Sequence, residues 1–249
     1  MHMNISARAA WAPGLGDLTA WRSWPDDTPH PQGASLITTP LPLDDGSAPD
    51  IRFVDALLRR RLGRLSRMAL HVAEAASTGM PSLPTVFASR HGELSRTVGI
   101  LHALAADEAP SPTAFSLSVH NSAAGIHAIA RADHSPATAL AAGEETLLWA
   151  LQDAAVRLAA DPDSAILLVY ADEPLPGEYQ AFSASREPAH AIALLLRSGA
   201  GLRLEWNENT SHQPSREPLS LMLLAHLLGR QEDIVWHGER LSVHGHNHV

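Results

Sequence analysis

From residue 51 onward, apolar side chains recur at three- and four-residue intervals: Phe53, Val54, Leu57, Leu58, Leu62, Leu65, Met68, Leu70 and Val72. That is the period of one helix face, and Arg59, Arg60, Arg61, Arg64 and Arg67 largely fill the other positions. The spacing therefore predicts one or two amphipathic helices that stop near Gly79, with Pro81 beyond. The short apolar run at 84–89 (PTVFAS) predicts a strand, and Ile100, Leu101 and Leu104 place a helix over 93–106. After Pro110 and Pro112 the pattern becomes alternation, with Phe115, Leu117 and Val119 on one side and Ser116, Ser118 and His120 on the other, which predicts a strand over 114–120. It runs directly into a stretch of small, helix-compatible residues, 121–130. A helix over 144–160 then leads to a strand at 165–170 (AILLVY). Residues 189–196 and 201–206 read as two strands of a hairpin joined by Ser198, Gly199, Ala200 and Gly201, and a last apolar helix over 219–228 precedes a polar tail. Strands alternating with helices of this length predict an α/β protein with a mostly parallel sheet.

The first 50 residues follow another rule. Between residues 11 and 49 stand Pro13, Pro25, Pro29, Pro31, Pro40, Pro42 and Pro49 together with Gly14, Gly16, Gly33 and Gly46, which excludes a long helix. Trp11, Trp21 and Trp24 in so short a stretch predict an arm anchored on the body by aromatic burial. The expected division is an arm over 1–50, a body over 51–210, and a C-terminal helix with a histidine-containing tail over 211–249.

Composition removes whole reaction classes. All 18 basic residues are arginine, and there is no cysteine. A chain without thiols runs no cysteine nucleophile, disulfide or thiolate-metal chemistry, and one without lysine forms no Schiff base and presents no P-loop ammonium. The formal charge of -9 disfavours nucleic acid and anionic lipid as partners. Residues 1–15 lack the basic and apolar regions of a signal peptide, and no uncharged apolar run approaches the roughly 20 residues that span a bilayer. The expectation is a cytoplasmic protein without membrane insertion.

The passage SPTAFSLSVHNSAAGIHAIA, residues 111–130, carries the most chemistry. A strand that turns abruptly into a helix presents its turn residues to free backbone N–H groups and the positive end of the helix dipole, where an anionic nucleophile or oxyanion is best stabilised. Set after PTVFASRHGELSRTVGILHALA and before the EETLLWAL helix, the AILLVYADEP strand and the SGAGLRLEW strand, this passage resembles the N-terminal half of beta-ketoacyl synthases. More narrowly, it resembles the short chain-length factors of aryl polyene and related type II polyketide pathways. The resemblance covers roughly residues 11–206 and implies a thiolase-like half-fold, so that 51–210 would be the ketosynthase-like domain.

In the family's catalytic members the elbow holds a cysteine. Alignment of the small-residue helix puts His120 there, flanked by Ser118, Asn121 and Ser122, as a degenerate nucleophile elbow without catalytic residues. A histidine at a helix N-terminus has its cation disfavoured and holds no thioester. The resemblance therefore implies a non-catalytic subunit that heterodimerises with a full-length beta-ketoacyl synthase, meets acyl carrier protein through that complex, and needs no cofactor. The strand with Phe115, Leu117 and Val119 would lie at the dimer interface. Ile100, Leu101 and Leu104 would shape the acyl tunnel, or else belong to the core.

Other readings stay open beside this one. An autonomous acyl hydrolase or decarboxylase would use His120 with Ser118 or Asn121, and a Ser118 or Ser122 dyad with His120 or His127 is conceivable, although no G-x-S-x-G elbow supports it. His244, His246 and His248 alternate in a way that permits metal binding, but no metal site is expected at a terminus, even with His237 beside Trp236. His91 between Arg90 and Glu93 reads as a capping or ion-paired cluster, and Asp172 and Glu173 read as exposed carboxylates after a strand. The arginines at 59–67 form a solvated helix face or a surface for an acidic partner.

Overall fold

The computed structural model of the chain describes residues 1–23, 46–80, 82–182, 188–210, 214–215 and 217–248. In chain order these form β1 (His2–Trp11), α1 (Leu18–Ser23), α2 (Ala56–Arg59), α3 (Arg64–Ala76), β2 (Thr85–Ala88), α4 (Leu94–Ala105), α5 (Pro112–Ser116), α6 (Ser122–Arg131), β3 (Ala137–Leu140), α7 (Thr146–Ala160), β4 (Ala165–Asp172), a 3-10 turn (Gly177–Phe182), β5 (His190–Glu208), α8 (Leu219–Leu227), β6 (Asp233–His237) and β7 (Leu241–His248).

One seven-stranded sheet joins every strand, in the order β3-β2-β4-β5-β7-β6, with β1 on β5. β2 runs parallel to both β3 and β4, whereas β5 is antiparallel to β4, β1 and β7. The α/β class is as the hydrophobic pattern predicts, and the sheet is mixed: β2, β3 and β4 run parallel, while the other pairings among the described strands are antiparallel.

The eight residues of β4 are all buried, and their alternation builds both faces of the sheet. Leu167 and Val169 pack with Met68, Ala69, Val72 and Ala73 of α3 and with Phe87, Ala191, Ala193 and Trp11. Ile166, Leu168 and Tyr170 pack with Leu147, Leu148, Leu151 and Leu158 of α7, with Leu221 and Leu224 of α8, and with Trp21. A strand covered on both faces reads as a continuous apolar run, which is why AILLVY stands out in the sequence. Leu151 is 0% exposed; truncating such a leucine to alanine costs about 2–5 kcal/mol. A smaller cluster of Ile51, Val54, Leu62, Leu70, Leu117 and Ile126 ties the α2 region to α3 and α6.

Three expectations change. Residues 189–206 are not a hairpin: β5 is one strand of 19 residues, because β1 pairs with it on both sides of the glycines, from Ala191 to Arg203, with a register shift between Met3 and Asn4. Gly199 and Gly201, with φ of 131° and 147°, make a bulge there. Residues 112–116, the core of the strand expected over 114–120, are instead the helix α5. Ser111 caps it by accepting from Ala114 N at 3.3 Å, and Pro112 stands in its first turn, a start signal that outweighs the alternation. Phe115 and Val119 are 64% and 44% exposed, while Leu117 is buried. The polar tail, finally, is the hairpin of β6 and β7, whose Ile234, Trp236 and Val243 enter the core. Of the arm tryptophans, Trp11 and Trp21 are buried, and Trp24 lies outside the described residues.

α4 buries only Val98. Leu101 and Leu104 are 46% and 54% exposed, and Ile100 is half-buried, so these three are not core. Among the described residues no helix is long and apolar enough to cross a membrane.

Candidate functional site

In a parallel α/β sheet, the loops after the strands' C-terminal ends collect functional groups. Here those ends are Ala88 of β2, Leu140 of β3 and Asp172 of β4. Asp172 is 2% exposed, which corrects its reading as an exposed loop carboxylate. It accepts from Ser89 Oγ at 2.8 Å, Arg90 N at 3.0 Å and Tyr170 Oη at 2.7 Å, and so fixes the loop after β2 to the end of β4. Ser89 Oγ in turn accepts from Gly92 N at 2.9 Å. His190 continues the buried network: its Nδ1 donates to Pro188 O at 2.9 Å, which leaves Nε2 to accept from Ser220 Oγ at 2.7 Å.

The strand-to-helix elbow of the parallel sheet lies between β3 and α7, at Ala141, Ala142, Gly143, Glu144 and Glu145. Thr146 Oγ1 closes it by donating to Gly143 O at 2.7 Å and accepting from Ala142 N at 2.8 Å. Both carboxylates at the helix head are engaged. Glu144 meets the guanidinium of Arg90 at 2.5 Å, and buried Glu145 accepts from Arg240 N at 2.6 Å and Leu241 N at 3.1 Å in the β6–β7 turn. No thiol or hydroxyl stands between Leu140 and Glu145.

The elbow expected at 118–122 therefore has a different form, because no strand enters it. Ser118 Oγ donates to Phe115 O at 2.8 Å. His120 Nε2 donates to Ser89 O at 2.8 Å, and its ring lies where Gly92, at φ 57°, lacks a Cβ: one built there would fall 2.9 Å from His120 Cδ2. Asn121 occupies the N-cap position of α6 without a side-chain capping bond. Ser122 is buried, and its Oγ has no hydrogen-bond partner among the described residues. Neither serine bonds to His120. His127 is buried against the rings of Phe53 and Phe87, and burial, with the Arg131 charge second, lowers its pKa to about 4.

Glu93 is 5% exposed and sits at the head of α3, where it accepts from Ser66 N at 3.2 Å and Ser66 Oγ at 2.5 Å. A carboxylate there complements the positive end of the helix dipole. Arg67 donates to the carbonyls of Arg59 and Leu62, and Arg96 to that of Arg61, so these guanidinium groups satisfy the open end of α2. Glu173 joins Arg64 and Ser95, each at 3.1 Å, while Arg60 and Arg61 are exposed. On β7, His244 and His246 lie opposite Glu205 and Arg203 of β5. Among the described residues no three histidines, aspartates or glutamates come together as a metal site; the His248 side chain lies outside the description.

The turn into α7 offers helix-head electrostatics with no thiol or hydroxyl at residues 141–144. Sequence reasoning missed the β3–α7 elbow and its ion pair; the signal available was Gly143 between the short ATAL segment and a long apolar helix.

The profile of the beta-ketoacyl synthase N-terminal domain matches residues 21–244. A solved structure of the ketosynthase ApeO in complex with its chain length factor ApeC from Xenorhabdus doucetiae contains a chain 27% identical to this one. The match covers 99% of this chain and 100% of that one, with a TM-score of 0.80. The ishigamide ketosynthase/chain length factor follows at 16% identity and a TM-score of 0.57, covering 93% of this chain and 74% of that one. The AntDE:AntF complex, a type II acyl-carrier protein with its ketosynthase, reaches 14% and 0.59, covering 84% and 71%. These last two show the fold alone. No curated protein sequence matches.

Proposed function

Because the chain belongs to the beta-ketoacyl synthase N-terminal domain family, with the thiolase-like fold, we propose that it is a non-catalytic chain-length factor. In this reading it heterodimerises with a full-length ketosynthase and shapes that enzyme's acyl tunnel during polyene or fatty-acyl elongation. The observation that carries the proposal is the β3–α7 elbow. Catalytic relatives keep a cysteine where a strand turns into a helix; the corresponding turn here holds Ala142, Gly143 and a glutamate ion-paired to Arg90. The likeness to a chain of a ketosynthase–chain length factor complex over its whole length supports the same reading.

A partner surface fits beside that elbow. β3 is an edge strand of four half-exposed or exposed residues without charge, and an uncharged edge with free backbone groups is a template for pairing. α7, bound to it through Arg157 and Thr138, exposes Trp149 and Val156 at 44% and 57%. The strand that resemblance puts at the two-fold is therefore β3 rather than residues 114–120. Arg60, Arg61 and Arg64 form the surface for the acidic carrier protein that reaches the complex. The autonomous-hydrolase alternative finds no support, since Ser118 and His120 are each bonded to backbone carbonyls and not to one another.

Co-expression with a full-length ketosynthase tests the proposal. A stable 1:1 complex by light scattering is expected, lost in Trp149→Arg while the isolated variant stays folded, and the chain alone should turn over no acyl carrier protein substrate. Failure to bind any ketosynthase, or condensation by the chain alone, overturns it.

A further inference from the structure

Between the heads of α3 and α6 lies a cavity of about 20 Å³, bordered by Ser66, Ser89, Glu93, His120 and Ser122 over a floor that includes Phe87. Its polar groups are unevenly satisfied. Oε1 of Glu93 takes both bonds from Ser66, whereas Oε2 lies beside Gly63 and 3.6 Å from the Arg96 guanidinium. The Ser122 hydroxyl is within a residue 94% buried and has no hydrogen-bond partner among the described residues. A serine in the first turn of a helix normally turns its hydroxyl to a backbone carbonyl or to solvent; this one does neither. A hydroxyl left unpaired in the interior is costly, so buried hydroxyls as a rule find a partner.

The free space exceeds the roughly 10–15 Å³ that one water requires, and the border supplies the two to four polar partners that hold a buried water. We propose that one buried water occupies this cavity, bonded to Ser122 Oγ and donating to the Glu93 carboxylate. It links the head of α6 to the head of α3. Glu93 also occupies the N-cap position of α4, without a side-chain capping bond, so the same water lies beside the start of the helix that exposes Leu101 and Leu104. This site stands independently of the ketosynthase partnership.

Two measurements on the purified full chain test it. A crystal structure should show an ordered solvent peak within hydrogen-bonding distance of Ser122 Oγ. Ser122→Ala should remove the peak and lower Tm by about 2–4 °C, the shift that loss of one such bonded group produces in a chain of this size. Were the cavity dry, the same substitution would delete an unpaired hydroxyl and raise Tm. An empty cavity in the parent protein, or a Tm that holds or rises in the variant, overturns the proposal.

Discussion

The guanidinium of Arg90 meets the carboxylate of Glu144 at 2.5 Å, with only 6% of the Arg90 side chain exposed. One residue follows β2 and the other lies in the turn into α7, so this ion pair spans the C-terminal edge of the parallel strands. The Asp172 carboxylate holds the β2 loop to β4 by accepting from the Ser89 hydroxyl and from Arg90 N. The Arg90 side chain ties that loop to the α7 elbow.

Removing Arg90 takes away the guanidinium that meets Glu144 at a partly buried site. Arg90→Ala should lower unfolding stability by about 3 kcal/mol, the cost of breaking a buried pair. The double variant Arg90→Met, Glu144→Leu should recover most of that, since no charge is then stranded. Urea denaturation of the parent, single and double variants reads both effects; a single variant as stable as the parent refutes the structural weight given to the pair.

Gly92 offers a second test of the same loop. At φ 57° an alanine is strained whatever its surroundings, and its Cβ would also press on the His120 ring at 2.9 Å. Gly92→Ala should cost about 1–3 kcal/mol. In a His120→Ala background the cost should shrink without vanishing, because the backbone strain remains. Equal costs in both backgrounds would show that the ring contact contributes nothing.

How much of this was legible follows from which physical signals are local. The helices α3, α4 and α7 carry apolar periods, α8 is apolar nearly all round, and β2 and β4 are short, mainly apolar runs, so each stands out in the sequence. The strand expected over 114–120 failed because Ser111 and Pro112 start a helix and exposed Phe115 belongs to no buried face. β3 was invisible because ATAL is only four residues long and has Thr138 as its one β-branched side chain, and with it went the elbow that follows. β6 and β7 were hidden by polar outward positions: His244 and His246 read as a tail until Val243 is seen in the core. The Glu93 and Asp172 networks join residues 27 and 83 positions apart, a separation that no local pattern records.

The exposed face of α4 tests the tunnel-shaping role directly. Leu101 and Leu104 pack against little within this chain, so Leu101→Ala and Leu104→Ala should change stability by no more than about 0.5 kcal/mol. In the complex with a ketosynthase the same changes should widen the space available to the growing chain and shift products to greater length. Product analysis by mass spectrometry decides: an unchanged length distribution removes these two leucines from the tunnel wall.

The buried imidazole of His127 makes stability depend on acidity in a defined window. Burial is the main cause of its lowered pKa, and Arg131 adds to it, while Glu74 and Asp133 oppose it. Burial would also raise the Asp133 carboxyl, but hydrogen bonds from Ser135, Ser82 and Leu83 outweigh it and hold that group well below the usual carboxylate range. Asp133 thus stays ionised while His127 titrates. Above pH 6.5 the histidine is neutral in both folded and unfolded chains, and its contribution is fully present. Between there and about 4 the unfolded chain takes up a proton that the folded one refuses, so stability falls as pH falls, by up to about 3 kcal/mol in total. Below that the dependence on this group levels off. His127→Phe keeps an aromatic ring between Phe53 and Phe87 and has no proton to bind, so its stability should lose this component of the slope between pH 6.5 and 4. Urea midpoints measured across that range in parent and variant check it: parallel curves would place the acid sensitivity in other groups.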